Sequence, residues 1–167
     1  MKKIFILLVS SLLMLTSCKE NVKAQVDDKT DIVQEDEFKK SNDFKFYHNR
    51  GISKGNSKDY KGAMADFTKV IEINPNYAKA YFNRGNAKAK LEDYKGAIID
   101  FTRAIDLVVA EVESDDDELD STFLSLTHYS RGISKMLLEN FLSACIDFRV
   151  AQKLGYDASE AINLVCK

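Results

Sequence analysis

The side chains with the most capacity for chemistry in this sequence recur in step. Arg50, Arg84 and Arg131 each precede a carboxylate, Asp66, Asp100 and Asp147, by 16 residues. Catalysis needs one such constellation, whereas three copies point to Arg–Asp ion pairs that brace a repeated scaffold, weakly where solvent reaches them. His48 and His128 fall in different copies with no nucleophile beside either, and no glycine-rich phosphate loop follows a strand pattern. These residues point away from an enzyme. Neither Cys145 nor Cys166 has a histidine at ligand spacing, so zinc is not expected, nor any other metal or cofactor. The acidic run Ser114-Asp115-Asp116-Asp117-Glu118-Leu119-Asp120 lacks the glycine and distal glutamate of a calcium loop and reads as a solvated turn. Lys and Arg number 24 against 26 Asp and Glu, a balance that argues against nucleic acid as a partner.

The elements that position these residues form a repeating unit. Tyr47-His48-Asn49-Arg50-Gly51 returns 34 residues later as Tyr81-Phe82-Asn83-Arg84-Gly85. The same offset carries Tyr60, Gly62, Ala63, Asp66, Phe67 and Ile71 onto Tyr94, Gly96, Ala97, Asp100, Phe101 and Ile105. A third copy runs from Arg131-Gly132 through Phe141, Ala144, Asp147, Phe148 and Ala151, displaced by 47 residues, so 13 have been inserted. Each unit predicts two helices. The first places Gly51, Gly85 or Gly132 where a facing helix must come close, although glycine costs about 1 kcal/mol relative to alanine inside a helix. The second sets a small and a large side chain on one face, Ala63 with Phe67 and Ala97 with Phe101. Pro75 ends the first unit. At the insertion, the second helix of unit two extends through Val108 and Val109 towards Val112. The next helix starts at Ser121, taken as its N-cap, and runs through Phe123 and Leu126. Ala158, Ala161, Ile162 and Val165 predict a last amphipathic helix covering the open end.

At this period, the order of Tyr, Gly, Ala, Phe and Pro resembles the tetratricopeptide repeat (TPR) over roughly Phe44 to Leu154. The resemblance implies an all-α fold, a short right-handed TPR solenoid of three helix-turn-helix repeats with a C-terminal capping helix. The domain spans 43–167, with repeats at about 44–77, 78–112 and 122–155, an acidic insertion at 113–120 and a cap helix at 157–167. Ser143-Ala144-Cys145 to Cys166-Lys167 is similar to the terminal repeat of many Bacteroidetes TPR proteins. By the same resemblance, the first helices line a concave groove that takes a protein or peptide partner. The candidate side chains are His48, Asn49, Ile52, Phe82, Asn83, Asn86, Tyr129, Ser130 and Ile133, of which Ile52, Phe82 and Ile133 suit inter-repeat packing equally well. Co-chaperones of the family grip the C-terminal carboxylate of heat-shock chaperones with lysines, an arginine and asparagines. Those places here hold His48, Ile52, Asn83, Leu126 and Ser130, and only the asparagine remains.

The N-terminus follows a different logic. Lys2 and Lys3 precede an apolar run from Ile4 to Leu15, too short to span a bilayer and of the length of a signal-peptide core. Leu15-Thr16-Ser17-Cys18 resembles the lipobox of bacterial lipoproteins. It implies a signal peptide over 1–17 and acyl chains, palmitate among them, on Cys18. Residues 18–42 carry many charges and no sustained apolar period, and read as a flexible tether. An exported chain meets an oxidising compartment, where Cys145 and Cys166 are either disulfide-bonded or two buried apolar thiols. The combined expectation is a lipid-anchored adaptor or assembly subunit of the bacterial cell envelope, at the outer membrane, that binds a peptide segment in its groove. The alternatives are a self-associating scaffold and a groove that takes a small molecule or glycan.

Overall fold

The computed structural model describes residues 28–111 and 120–167. The expected signal segment, Cys18 and the acidic run as far as 119 lie outside the described residues. The chain divides into two compact units, Met1–Lys39 and Lys40–Lys167. The described residues form seven helices and no strand: α1 (Asp28–Asn56), α2 (Tyr60–Ile73), α3 (Ala78–Lys90), α4 (Tyr94–Glu111), α5 (Ser121–Leu137), α6 (Phe141–Lys153) and α7 (Ser159–Val165). The described residues of the second unit form an all-α stack in which each helix from α2 to α6 packs on the next in sequence.

Each helix pair turns by the same local device. Lys58, Glu92 and Glu139 adopt left-handed φ values of 65°, 64° and 60°, which reverse the chain after the first helix. The following amides then bond five residues back, Asp59 to Lys54, Asp93 to Lys88 and Asn140 to Lys135, closing the helix end. The same three residues cap the second helix. Asp59 accepts from the Gly62 amide at 2.9 Å, Asp93 from Gly96 at 2.9 Å and Asn140 from Ser143 at 3.4 Å.

The glycines of the first helices have a specific neighbour. A Cβ on Gly51, Gly85 or Gly132 would lie 3.0, 2.8 or 2.7 Å from Cε1 of Phe67, Phe101 or Phe148, the buried phenylalanine of the second helix. The aromatic edge thus occupies the space a side chain would take, and helix axes come close. Ala63, Ala97 and Ala144, also buried, sit four residues before each Phe and complete the interlock.

Two expectations are corrected. The stretch 18–42, expected as a flexible tether, is helical in its described part, since α1 begins at Asp28. Absence of an apolar period was the wrong criterion: residues 28–50 hold no glycine or proline and several strong helix formers, so propensity extends a helix already anchored further on. At the insertion, Asp120 and not Ser121 is the N-cap of α5, its carboxylate accepting from the Phe123 amide at 2.9 Å. α4 and α5 are indeed long, at 18 and 17 residues against 13 or 14 for α2, α3 and α6. The added turns bury Leu107 and Val108 against Leu124 and Ala78, which links repeats two and three despite the inserted residues.

The solenoid closes at its C-terminal end. Gly155, at φ 96°, reverses the chain after α6, and α7 lays Ala158, Ala161 and Ile162 against Ala144, Phe148 and Tyr129. Cys145 on α6 and Cys166, just beyond α7, form a disulfide across Cα atoms 5.3 Å apart, joining the cap to repeat three.

Candidate binding groove

The recurrent charges meet within each helix pair. Arg50 reaches Asp66 through two nitrogens at 2.8 and 2.6 Å, Arg84 reaches Asp100 at 2.9 and 2.8 Å, and Arg131 reaches Asp147 at 3.0 and 2.7 Å. The carboxylates are buried, so these pairs are more than surface decoration. A second cation completes each site: Lys54, Lys88 and Lys135 lie 2.9, 2.8 and 2.7 Å from the same three aspartates. These lysines stand four residues after each arginine, one helical turn on, and that recurrence in the sequence was the signal for them. In repeat three, His128 replaces the tyrosine of the first two copies and sets Nδ1 3.1 Å from Asp147. The Arg50 hydrogen bond, opposed by burial and helped by Lys54, holds the Asp66 carboxyl below the usual carboxylate range. Burial would raise Asp147, but hydrogen bonds from His128, Arg131 and Lys135 outweigh it and hold that carboxyl well below the range. Thr68 and Thr102 accept from Arg84 and Arg131 of the following repeat at 3.4 and 3.0 Å, so the brackets also join repeat to repeat.

Six of the nine candidate groove residues line linked hollows. Ile52, Asn83 and Asn86 border a pocket of about 320 Å³ between repeats one and two, with Gly55, Asn56, Tyr60 and Lys90. Asn86 and Lys90 also border the next, of about 400 Å³, with Tyr129, Ser130, Ile133, Glu92 and Leu137. Tyr129 and Ile133 then border a third, of about 340 Å³, closed by Met136, Glu160 and Leu164 at the cap. Asn83 and Asn86 are half-buried, and among the described residues no intrachain hydrogen bond engages either amide. Burial of the Tyr129 ring, with the nearby Tyr156 and Glu160, raises its phenol above the usual range, so it remains a neutral donor and acceptor.

The other three candidates do not join this surface. The His48 ring packs on Tyr77 at 5.6 Å, with Phe44 and Phe67 at 6.1 and 6.3 Å. Phe82 packs between Phe101 and Phe123. Asn49 is exposed and borders none of the three hollows. Asn56, Lys90 and Leu137, which do line the groove, lie at equivalent places in the three repeats, one turn beyond Ile52, Asn86 and Ile133. Carrying the same helical face one turn further would have found them.

A stack of helix pairs with neighbouring hollows along its first helices is a helical-repeat solenoid, and the comparisons specify which repeat. Residues 57–91 match a TPR repeat model and residues 78–108 match the tetratricopeptide repeat itself. No curated protein matches the sequence. Among solved structures, the second TPR domain of human RPAP3, in complex with an HSP70 peptide, is similar at 23% identity and a TM-score of 0.64, over 77% of this chain and 98% of that one. The Arabidopsis OM64 TPR domain shares 20% identity at a TM-score of 0.62, covering 75% and 94%. The TPR2B domain of yeast Sti1, in a pHsp70 complex, shares 19% at 0.59, covering 74% and 92%. This chain therefore carries tetratricopeptide repeats within residues 57–108 and has the fold of a TPR domain.

Proposed function

We propose that this chain is a lipid-anchored interaction module of the bacterial cell envelope that holds an extended peptide segment of a protein partner in its groove, as an adaptor or assembly subunit. The observation that carries this is the pair of half-buried, unengaged amides, Asn83 and Asn86, facing hollows that run from repeat one to the cap. An extended backbone offers donors and acceptors that such amides can satisfy, and Tyr129, Ile52 and Ile133 offer flat apolar contact between them. Solved TPR domains of similar fold hold HSP70 peptides, which supports a peptide as the occupant. The recognition chemistry differs from carboxylate clamping, because His48 is committed to aromatic packing and Leu126 is apolar and exposed. Anchorage rests on the Leu15-Thr16-Ser17-Cys18 string.

The test is crosslinking and recovery of partners from native membranes with the full chain and with Asn83→Ala. A partner should be recovered with the parent chain and lost with the variant, while thermal unfolding stays the same. Equal recovery would refute groove binding. Light scattering that shows growth of the assembly with concentration would favour the self-associating scaffold instead. For the anchor, Cys18→Ser should abolish processing and detergent partitioning, and an unchanged pattern would remove the lipid from the account.

A further inference from the structure

The three repeats share their interior and differ on one outward stripe. On α2 that stripe reads Lys61, Ala65 and Glu72, with the half-buried Thr68 between the last two, and on α4 it reads Lys95, Ile99 and Asp106, with Thr102 placed likewise. On α6 the equivalent residues are Leu142, Ile146, Arg149 and Lys153. The fold does not require this change, because the first two copies build the same helix with lysine and an acid at its ends. Leu142 is 80% exposed and Ile146 57%, and Leu138 and Phe141 at the preceding turn are exposed as well. Leu142 and Ile146 fall one turn apart on a single face, followed by two cations and no acid on that stripe; Asp147, next to Ile146 in sequence, is buried against Arg131 and Lys135, and Glu139 stands at the preceding turn.

We infer that this face of α6 rests on an anionic lipid surface, with Leu142, Ile146 and Phe141 entering the headgroup boundary and Arg149 and Lys153 meeting lipid phosphates. Charge complementarity selects this occupant. Apolar side chains followed by cations with long aliphatic stems match a surface that is apolar beneath and negative at its rim. Area argues the same way. Four side chains of this size expose on the order of 400 Å², half of what one partner of a stable protein interface contributes. A bilayer has no such threshold, since each apolar side chain inserts independently. The inference does not depend on what fills the groove.

The chain has no tryptophan, so Leu142→Trp in the full chain is a reporter of its own surroundings. Membrane attachment elsewhere in the chain does not generate its signal. Lys95→Trp, at the same place in repeat two, is the internal control. Mixed with vesicles of phosphatidylethanolamine and phosphatidylglycerol, Leu142→Trp should shift to shorter wavelength and be quenched by brominated lipid, and Lys95→Trp should not. Adding Arg149→Glu and Lys153→Glu should weaken apparent vesicle affinity at this site about tenfold or more at low salt. Equal quenching of both reporters, or none at Leu142→Trp, overturns the inference. So does a spectrum that follows protein concentration and ignores brominated lipid, which would assign the face to a second copy of the chain. Should Leu142→Trp fold poorly by circular dichroism, Ile146→Trp carries the same test, with the same outcomes.

Discussion

The three aspartate brackets are chemically alike but differ in access to water, and that difference predicts how much each stabilises the fold. Asp147 receives hydrogen bonds from His128, Nε and Nη2 of Arg131, and Lys135, and the Arg131 and Lys135 side chains are only 15% and 17% exposed. Asp147→Asn keeps the shape but removes the charge, turns an amide donor towards donors and strands two cations. Breaking a buried pair in this way costs about 3–5 kcal/mol, and partial rehydration of the cations sets the expectation near the lower end, about 3 kcal/mol. Asp66 is bracketed by Arg50 and Lys54, which are 42% and 31% exposed and can turn to solvent, so Asp66→Asn should cost roughly half as much or less. Asp100 falls between, with cations as shielded as those of Asp147 but without a histidine donor. Urea unfolding of the full chain, followed by helical circular dichroism, measures the order Asp147 > Asp100 > Asp66. Three equal losses, or the largest at Asp66, would refute the argument that burial of the cations sets the strength.

The remaining predictions concern pH, the glycines and the disulfide. Asp66 and Asp147 have folded-state pKa values below their unfolded ones. The unfolded chain therefore takes up protons first as the pH falls, so their stabilisation is complete above about pH 5 and declines below it. In an acid titration of stability, Asp147→Asn should flatten that decline, and an unaltered slope would show that other carboxylates govern it. Gly85→Ala and Gly132→Ala should each cost about 1–3 kcal/mol by driving a Cβ into Phe101 or Phe148. Gly55→Ala, whose Cβ would meet only Ala63 at 4.0 Å, should instead gain up to about 1 kcal/mol in the same urea assay. Reducing the bond between Cys145 and Cys166, 21 residues apart, should cost about 3 kcal/mol and open the chain to proteolysis near Gly155. Equal stability and the same cleavage pattern after reduction would mean that packing alone holds the cap.

How far the sequence revealed this structure depended on whether a residue repeats. Gly51 and Phe67, Arg50 and Asp66, and their later copies were readable because a constant offset marks side chains that the stack itself requires. Lys54, Lys88 and Lys135 repeat just as faithfully, but one arginine already balances each aspartate in charge, so nothing in the sequence demands a second cation. The cap of α5 was misplaced by one residue because Asp120, Ser121 and Thr122 are all capping types, and only the turn geometry chooses among them. The groove was harder for a physical reason. Phe82 and Asn83 diverge by about 100°, so Phe82 turns to Phe101 and Phe123 while Asn83 faces the hollow; Ile52 and Asn86 lie one turn beyond His48 and Phe82 on the same face, past the aromatic contacts that hold those two. Tyr129, aligned with His48 and Phe82, does both, packing on Tyr156 at 4.3 Å and lining the groove. Its ring also meets Phe148 at 5.5 Å, and Ile133, four residues on, borders the same hollow. Repeat three carries further departures from the first two copies: His128 in place of tyrosine, Leu142 in place of lysine and Cys145 in place of Met64 or Ile98. Agreement among the copies specifies the scaffold, and disagreement specifies what this particular scaffold meets, so repeat three is where a change of partner would be written.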